Sequence, residues 1–268
     1  MTCARHRLVL VALLGAALGC GHAAPKPRPY AAPDVATLSG VLAARQKAVQ
    51  GMNARVRATS WMGGERVRAT VNMLVLRDGH LRFEAEVSLQ GTVATLTTDG
   101  PTFSLLDARK NELSRGPACP ANVASLVRIP LSPADIAAVL LGDVRPPTDP
   151  TAGVVDWDPS RGADVLALRE HDGGALLLYF KGTAHELVAA VRTGADGSRL
   201  WQTAYDTWET VGGVRLPGRI RFAEHNESFD DGVDLLFKDR TLNQPPPAGA
   251  FTLAPPPGVA VKTVGCGG

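Results

Sequence analysis

The feature that most constrains the fold of this chain is a change of hydrophobic period to two near residue 53. In the segment LRFEAEVSL (residues 81–89) every odd position is apolar and nearly every even position is charged. Residues 66–75 alternate in the same way, and Asp78-Gly79 between the two segments is a hairpin turn signal. Strands with one apolar and one polar face are typical of an antiparallel sheet with one face in water. The sequence therefore predicts an antiparallel meander over residues 53–114.

Helical patterns lie on both sides of this meander. Apolar residues recur at spacings of three and four over residues 35–52, after Asp34 as an N-cap, which predicts an amphipathic helix. Ser132-Pro133-Ala134-Asp135 combines a capping serine, a proline at the first helical position and an acid at the third. We therefore expect a second helix from Pro133 to Leu141, ended by Gly142, with a short helix around residues 122–127 before it and a proline-rich loop at residues 146–150.

The second half of the chain returns to the strand pattern. Gly173-Gly174, Asp196-Gly197 and Gly212-Gly213 mark its turns. The predicted strands cover residues 164–170, 175–180, 186–193, 200–207, 214–223 and 232–238. Two triple-proline runs in residues 244–259 exclude a central strand there, so we expect this tail at a sheet edge or across the surface. The predicted fold class is mainly β (α+β), with a few helices on an antiparallel sheet.

The first twenty residues resemble a bacterial lipoprotein signal peptide. Arg5-His6-Arg7 precedes an apolar run at residues 8–14, and Ala17-Leu18-Gly19-Cys20 is a small-residue cleavage site. The run is too short to span a bilayer as a helix. Cleavage would leave Cys20 as the first residue of the mature chain, where acyl chains attached to it could anchor the protein. The alternative is an ordinary secretory signal cleaved near Ala23-Ala24.

The predicted organisation follows from this signal. Residues 1–20 are the signal peptide, residues 21–33, rich in Pro and Ala, are a flexible tether, and residues 34–268 are a single domain. Gly21 stands where an aspartate would retain a lipoprotein at the inner membrane, so the expected location is the outer membrane, on its periplasmic face. The signal removes two arginines and leaves 26 basic and 26 acidic residues, a balance that gives no case for nucleic acid binding.

Two cysteines remain once Cys3 and Cys20 are assigned to the signal and the anchor. Cys119 lies in a Gly-Pro-Ala-Cys-Pro loop and Cys266 in a glycine-rich tail. In an oxidising envelope two such cysteines most simply pair, so we predict a Cys119–Cys266 disulfide. The alternative is two free thiols.

No motif in the sequence carries catalytic chemistry. There is no Gly-x-Ser-x-Gly elbow, no phosphate-binding loop and no dinucleotide fingerprint. His80, His171, His185 and His225 are scattered singly, and Glu224-His225-Asn226-Glu227 has two carboxylates around one histidine rather than a metal spacing. We therefore expect neither an enzyme nor a metal or other cofactor.

The apolar positions of the predicted sheet and helices are mostly aliphatic, and aromatic residues make up only 5% of the chain. Such a lining suits acyl chains, although it equally describes an ordinary core, and composition alone favours the core. The candidate cavity-lining residues are Val71, Met73, Val75, Leu81, Phe83, Val87, Ile136, Val139 and Leu140. Arg82, Glu84 and Glu86 alternate with them and are expected to face water.

The order of these elements resembles the outer-membrane lipoprotein-sorting superfamily, which includes the Lol-type periplasmic carrier and its outer-membrane receptor. The segments that carry the resemblance are Gly100–Asp107 (GPTFSLLD), the helix ending Val139-Leu-Leu-Gly142, the segment 213–220 (GVRLPGRI) and the closing segment 251–258 (FTLAPPPG). The resemblance covers essentially the whole mature chain. It implies an antiparallel half-barrel of about eleven strands, closed by helices over an apolar cavity.

The function that the resemblance implies is binding of lipoprotein acyl chains or other lipids at the outer membrane. The family's receptor carries a protruding hydrophobic loop between early strands, whereas Leu89-Gln90-Gly91-Thr92 here is a tight turn. The nearest apolar tip is Trp61-Met62-Gly63-Gly64, one hairpin earlier. The competing hypothesis is a ligand-free scaffold lipoprotein that binds an envelope protein through a sheet edge or its tail.

Overall fold

A computed structural model describes residues 26–62, 65–88, 90–225 and 227–266 of the chain. The predicted signal peptide and its lipidated residue Cys20 lie outside these residues, as do Gly63 and Gly64 of the apolar tip and Leu89 of the tight turn. Among the described residues, no helix has the length and apolar character needed to cross a membrane.

The described residues form one open, curled sheet of fourteen strands with three helices on it. The helices are α1 (Val35–Ala48), α2 (Pro120–Val127) and α3 (Pro133–Leu140). The strands are β1 (Gly51–Met62), β2 (Glu65–Leu76), β3 (His80–Val87), β4 (Gly91–Asp99), β5 (Thr102–Asp107), β6 (Glu112–Pro117), β7 (Ala152–Asp158), β8 (Ala163–Arg169), β9 (Ala175–Lys181), β10 (Glu186–Thr193), β11 (Arg199–Val211), β12 (Val214–Glu224), β13 (Val233–Leu242) and β14 (Ala260–Thr263).

The sheet joins the two predicted meanders through one pairing. Its strand order is β14-β6-β5-β4-β3-β2-β1-β13-β12-β11-β10-β9-β8-β7. All neighbours are antiparallel except β14 and β6, which are parallel. The fold class is therefore the predicted one, a mostly β half-barrel covered by helices, but with fourteen strands rather than about eleven.

The strands that sequence reasoning missed lie at the two edges. β7 and β14 each pair with a single neighbour. All four residues of β14 are exposed, so no alternation of apolar and polar residues marks that strand. It directly follows the proline-rich segment 244–259, which was predicted to form no central strand and contains no strand in the structure.

The apolar face of the sheet and the helices enclose one core. In β3 the odd residues are buried up to Ala85, and Phe83 pairs with Met73 of β2 across the strands. The alternating residues Arg82, Glu84 and Glu86 lie half-buried on the opposite face. Arg82 also donates to the carbonyl oxygen of Ala250, which fastens the C-terminal tail to that face.

The segment before α1 contacts the far edge of the sheet. The carbonyl oxygen of Lys26 accepts a hydrogen bond from the Trp157 indole at 2.7 Å. Arg28 lies 2.9 Å from the buried carboxylate of Asp164, and the Tyr30 hydroxyl donates to the same carboxylate at 3.0 Å. Residues 26–30 of the predicted tether therefore lie against β7 and β8.

A disulfide joins Cys119, the N-cap residue of α2, to Cys266 in the C-terminal tail, with 6.1 Å between the Cα atoms. The bridge closes a loop of 147 residues. It ties the start of α2 to the segment that follows edge strand β14.

Candidate functional site

Eight of the nine candidate lining residues, all except Val87, lie together in one apolar cluster, but no hollow separates them. Seven of the nine have an exposed fraction between 0 and 4%. A hollow that admitted water would give its lining residues exposed surface, so the space around these seven is filled by protein atoms. They are Met73, Val75, Leu81, Phe83, Ile136, Val139 and Leu140. The remaining two, Val71 and Val87, are half-buried nearer the other end of the hairpin.

The helix that fills this space is α3 together with the turn that follows it. Residues 136–144 are buried without exception, so this segment, which is apolar apart from Asp143, is covered on all sides rather than on one stripe. We call residues 133–144 the plug. The predicted helix Pro133 to Leu141 is thus present, and it packs against β2 and β3 within the buried core.

The first turn of the plug has the predicted cap. The Ser132 hydroxyl accepts a hydrogen bond from the backbone N–H of Asp135 at 3.2 Å, and Pro133 is the first helical residue. Gly79, in the β2–β3 turn, approaches the same end of the plug so closely that a Cβ atom there would lie 3.0 Å from the backbone nitrogen of Ala134. The turn and the plug are therefore in direct contact.

A buried polar cluster holds the other end of the plug. Arg77, at the end of β2, donates two hydrogen bonds to the fully buried carboxylate of Asp143, at 3.1 and 2.9 Å. The Tyr205 hydroxyl donates to the backbone carbonyl of Asp143 at 2.8 Å, and Gln46 of α1 donates to the carbonyl of Val144 at 3.1 Å. Strands β2 and β11 and helix α1 therefore converge on the residues that end the plug.

Burial shifts the pKa values of two groups in this cluster. Loss of water raises the pKa of the Asp143 carboxyl, and the hydrogen bonds and charge of Arg77 act against that rise. Burial also raises the pKa of the Tyr205 phenol. The phenol therefore stays protonated at neutral pH and remains a hydrogen-bond donor to the plug.

A cleft of about 350 Å³ opens at the rim of the half-barrel beside α2. Its apolar wall includes Phe222 and Val233, which also belong to the buried core, and the partly exposed Trp61. The Trp61 indole donates to the carbonyl of Asp230, which holds the ring across the end of β13. The cleft therefore connects the surface with the edge of the apolar interior.

The polar wall of the rim cleft carries charges of both signs. Arg128, in a left-handed conformation with φ of 57°, ends α2 and faces Glu224 and Glu227 across the cleft. Burial raises the pKa of the Glu224 carboxyl, and the neighbouring Glu227 charge raises it further. Sequence reasoning missed this cleft because its walls come from α2, β1, β12 and β13, and only Trp61 carried a signal, as part of an apolar tip.

The described residues hold no group of three or more His, Cys, Asp or Glu residues arranged to bind a metal ion. In the segment Glu224-His225-Asn226-Glu227, Asn226 lies outside the described residues. The imidazole of His225 lies 3.9 Å from the Glu224 carboxylate.

Comparison with known proteins identifies similar folds but no close relative. No protein-family model matches the chain, and no curated protein matches it. Among solved structures, a LolA superfamily protein from Nitrosomonas europaea is 14% identical, with a TM-score of 0.53 over 81% of this chain and 97% of that chain. A domain named for outer membrane lipoprotein sorting, from Vibrio parahaemolyticus, is 10% identical, with a TM-score of 0.51 over 80% and 94%.

A DUF1329 family protein from Desulfovibrio piger is similar to the same extent, at 10% identity and a TM-score of 0.53 over 80% of this chain and 95% of that chain. At these identities the likeness concerns the fold alone. The chain has the Lol-type fold that the order of its sequence elements indicated.

Proposed function

We propose that this protein is an envelope lipoprotein, anchored through Cys20 to the periplasmic face of the outer membrane, that binds acyl chains of a lipoprotein or lipid. The Lol-type fold, shared with solved structures named for the LolA superfamily and for outer membrane lipoprotein sorting, is the observation that carries the proposal. An apolar segment occupies the concave face of a Lol-type fold, and this is the space that a ligand would take. Lipoprotein or lipid trafficking is the role that fits such an exchange.

Binding requires the plug to leave the sheet. Displacing it exposes Phe83, Leu81 and Val75, and an acyl chain would cover them again. Each methylene that enters apolar surroundings contributes about 0.8 kcal/mol. A chain of about sixteen carbons thus contributes on the order of 10 kcal/mol towards the cost of losing the plug contacts.

The contacts at the two ends of the plug define how it can move. The disulfide at Cys119 fixes the start of α2, so displacement begins after α2. The Arg77–Asp143 pair is the polar contact that must break at the other end. We propose that this pair sets the free energy of opening, because a charged carboxylate that leaves its arginine must find water instead.

The rim cleft is the entrance that this proposal favours. Its apolar wall at Phe222 and Val233 leads towards the core, so an acyl chain could follow it inward. Arg128 and the carboxylates of Glu224 and Glu227 would then remain beside the polar end of the ligand. We propose no catalytic role for these residues and no cofactor.

The second candidate function is a ligand-free scaffold, and the filled interior is the observation that favours it. Each edge strand carries an exposed valine, since Val154 of β7 is 57% exposed and Val261 of β14 is 55% exposed. An added strand from an envelope protein would satisfy the free backbone groups of an edge.

Mass spectrometry of lipid extracted from the purified protein separates the two candidates. An acyl-chain binder releases lipid or lipoprotein acyl chains in a fixed ratio to protein, in addition to its own anchor. A scaffold releases the anchor alone. The protein must be purified without a detergent that removes bound lipid. If it then releases nothing beyond its anchor, the first proposal is contradicted and the second is favoured.

A further inference from the structure

The outer face of the sheet carries a groove of about 600 Å³ that the proposed acyl-chain site does not use. It crosses six neighbouring strands, from β3 through β2, β1, β13 and β12 to β11. Its lining differs from the core in being mostly polar and basic, with Arg57, Thr59, Arg66, Arg68, Thr70 and Arg219 among its residues.

Three arginines of this groove lie close together on one hairpin. Arg57 of β1 is paired with Thr70 of β2, and Thr59 of β1 is paired with Arg68. Arg66 follows Arg68 at the next position on the same face. Arg57 and Arg68 are diagonal neighbours, about 7 to 8 Å apart, and Arg66 lies two residues, or about 7 Å, beyond Arg68 along β2. The three guanidinium groups therefore line one stretch of the groove.

These three arginines have no acidic partner within the part of the chain that the structure describes. All three are exposed, and none makes an ion pair or side-chain hydrogen bond with a described residue. The two carboxylates of the groove are engaged elsewhere. Glu86 accepts from Asn72 at 2.7 Å, and Asp234 accepts two hydrogen bonds from Arg219, at 2.9 and 2.7 Å.

Two other arginines of this face show the contrast. Arg219 is paired with Asp234, and the neighbouring Arg221 is paired with Asp206 at 3.2 Å. Asp234 engages Nε and Nη2 of Arg219, so the guanidinium is held in place with Nη1 free of described partners. The groove thus has four arginines against two carboxylates, and its excess positive charge lies on the β1–β2 hairpin.

Hydroxyl groups and a strained backbone complete the groove. Thr59 and Thr70 supply hydroxyls to it, whereas the hydroxyl of Thr207 donates to the Asp206 carboxylate at 2.7 Å. Thr207 has a φ of 57°, a left-handed conformation that is rare for a β-branched residue. Gly218 opposite it makes room for this conformation, since a Cβ atom there would lie 2.6 Å from the Thr207 carbonyl oxygen. Such strain is concentrated at functional sites.

We propose that this outer groove binds phosphate groups of an anionic ligand. Guanidinium groups match phosphate oxygens through paired hydrogen bonds, and hydroxyls supply further donors. The source of the phosphate is either the headgroup of an anionic lipid or a soluble phosphorylated molecule. The site lies on the face opposite the plug, so it stands independently of the acyl-chain proposal.

Calorimetric titration of the purified full chain in a non-ionic detergent tests the proposal. One probe is pyrophosphate and the other is dihexanoyl phosphatidic acid, with dihexanoyl phosphatidylcholine as the neutral comparison. Binding of both anionic probes at low salt, weakened by added NaCl, is expected. Tighter binding of phosphatidic acid assigns the site to a lipid headgroup, and tighter binding of pyrophosphate assigns it to a soluble ligand.

Variants identify the groove as the place of binding. The triple variant Arg57→Gln, Arg66→Gln, Arg68→Gln removes the exposed cluster, and we expect a loss of about tenfold in affinity per arginine. A charge-matched control, Arg169→Gln, Lys181→Gln, Lys262→Gln, removes exposed cations from other strands and should bind as the natural chain does. Absence of binding to both anionic probes would overturn the proposal, as would binding that the two triple variants weaken equally or not at all.

Discussion

Arg77 and Asp143 lie 66 residues apart in the chain and are joined by two hydrogen bonds, of 3.1 and 2.9 Å. Asp143 is fully buried, whereas the Arg77 side chain retains 18% of its exposure. The pair connects the end of β2 with the end of the plug. It is therefore, with the Tyr205 hydrogen bond, a polar contact through which the sheet holds the plug.

Removing one partner of this pair should destabilise the protein strongly. Asp143→Leu leaves Arg77 without its carboxylate, and the expected loss is about 3 to 5 kcal/mol in the free energy of unfolding. The double variant Arg77→Met, Asp143→Leu should recover most of that loss, because no unpaired charge remains buried. Denaturant unfolding of the four proteins of this cycle measures the coupling. Losses that simply add would show that the two residues do not act as a pair.

The disulfide should stabilise the fold chiefly by lowering the conformational entropy of the unfolded chain. Closing a loop of 147 residues is worth about 3 to 5 kcal/mol in the chain-entropy account. Cys119→Ala, Cys266→Ala should lower the free energy of unfolding by up to that amount. Alkylation of unreduced, denatured protein provides the direct control, and modification of both cysteines there would contradict the bridge.

The N-cap of the plug should make a smaller, measurable contribution to the free energy of unfolding. Ser132→Ala removes the acceptor for the Asp135 N–H, and we expect a loss of about 1 kcal/mol. Ser125→Ala is the matched control, since Ser125 is exposed on α2 and bonds only the Asn122 carbonyl. Its effect should stay within about 0.5 kcal/mol. Equal losses in the two variants would argue against a specific cap at the plug.

Much of the fold could be predicted from the sequence because it rests on local signals. The alternation over residues 66–89 fixes which face of β2 and β3 is buried, and Ser132-Pro133 fixes the start of α3. The edge strands escaped prediction because β14 has no buried residue to create a period. The resemblance to the lipoprotein-sorting superfamily supplied the curvature and the helical cover, which alternation alone does not contain.

The site was only partly predictable because it depends on contacts between distant segments. The apolar residues Ile136, Val139 and Leu140, expected from the sequence to line a cavity, are buried in the core. Complete burial of the plug depends on what surrounds it in space, and a periodic stripe does not reveal that. The Arg77–Asp143 pair and the rim cleft between Arg128 and Glu224 join elements far apart in the chain, so one sequence offered no signal for them.

The central claim is that an acyl chain can exchange with the plug, and a fatty-acid binding titration with two matched variants tests it most directly. Asp143→Asn weakens the contact that holds the plug, whereas Asp164→Asn weakens the other buried aspartate–arginine pair, at Arg28, far from it. If binding requires opening, the apparent Kd falls as the open fraction rises.

The account predicts saturable binding of a labelled fatty acid that is tighter in Asp143→Asn than in the natural chain and unchanged in Asp164→Asn. Absence of saturable binding in all three proteins would contradict the account, as would equal affinities in the two variants.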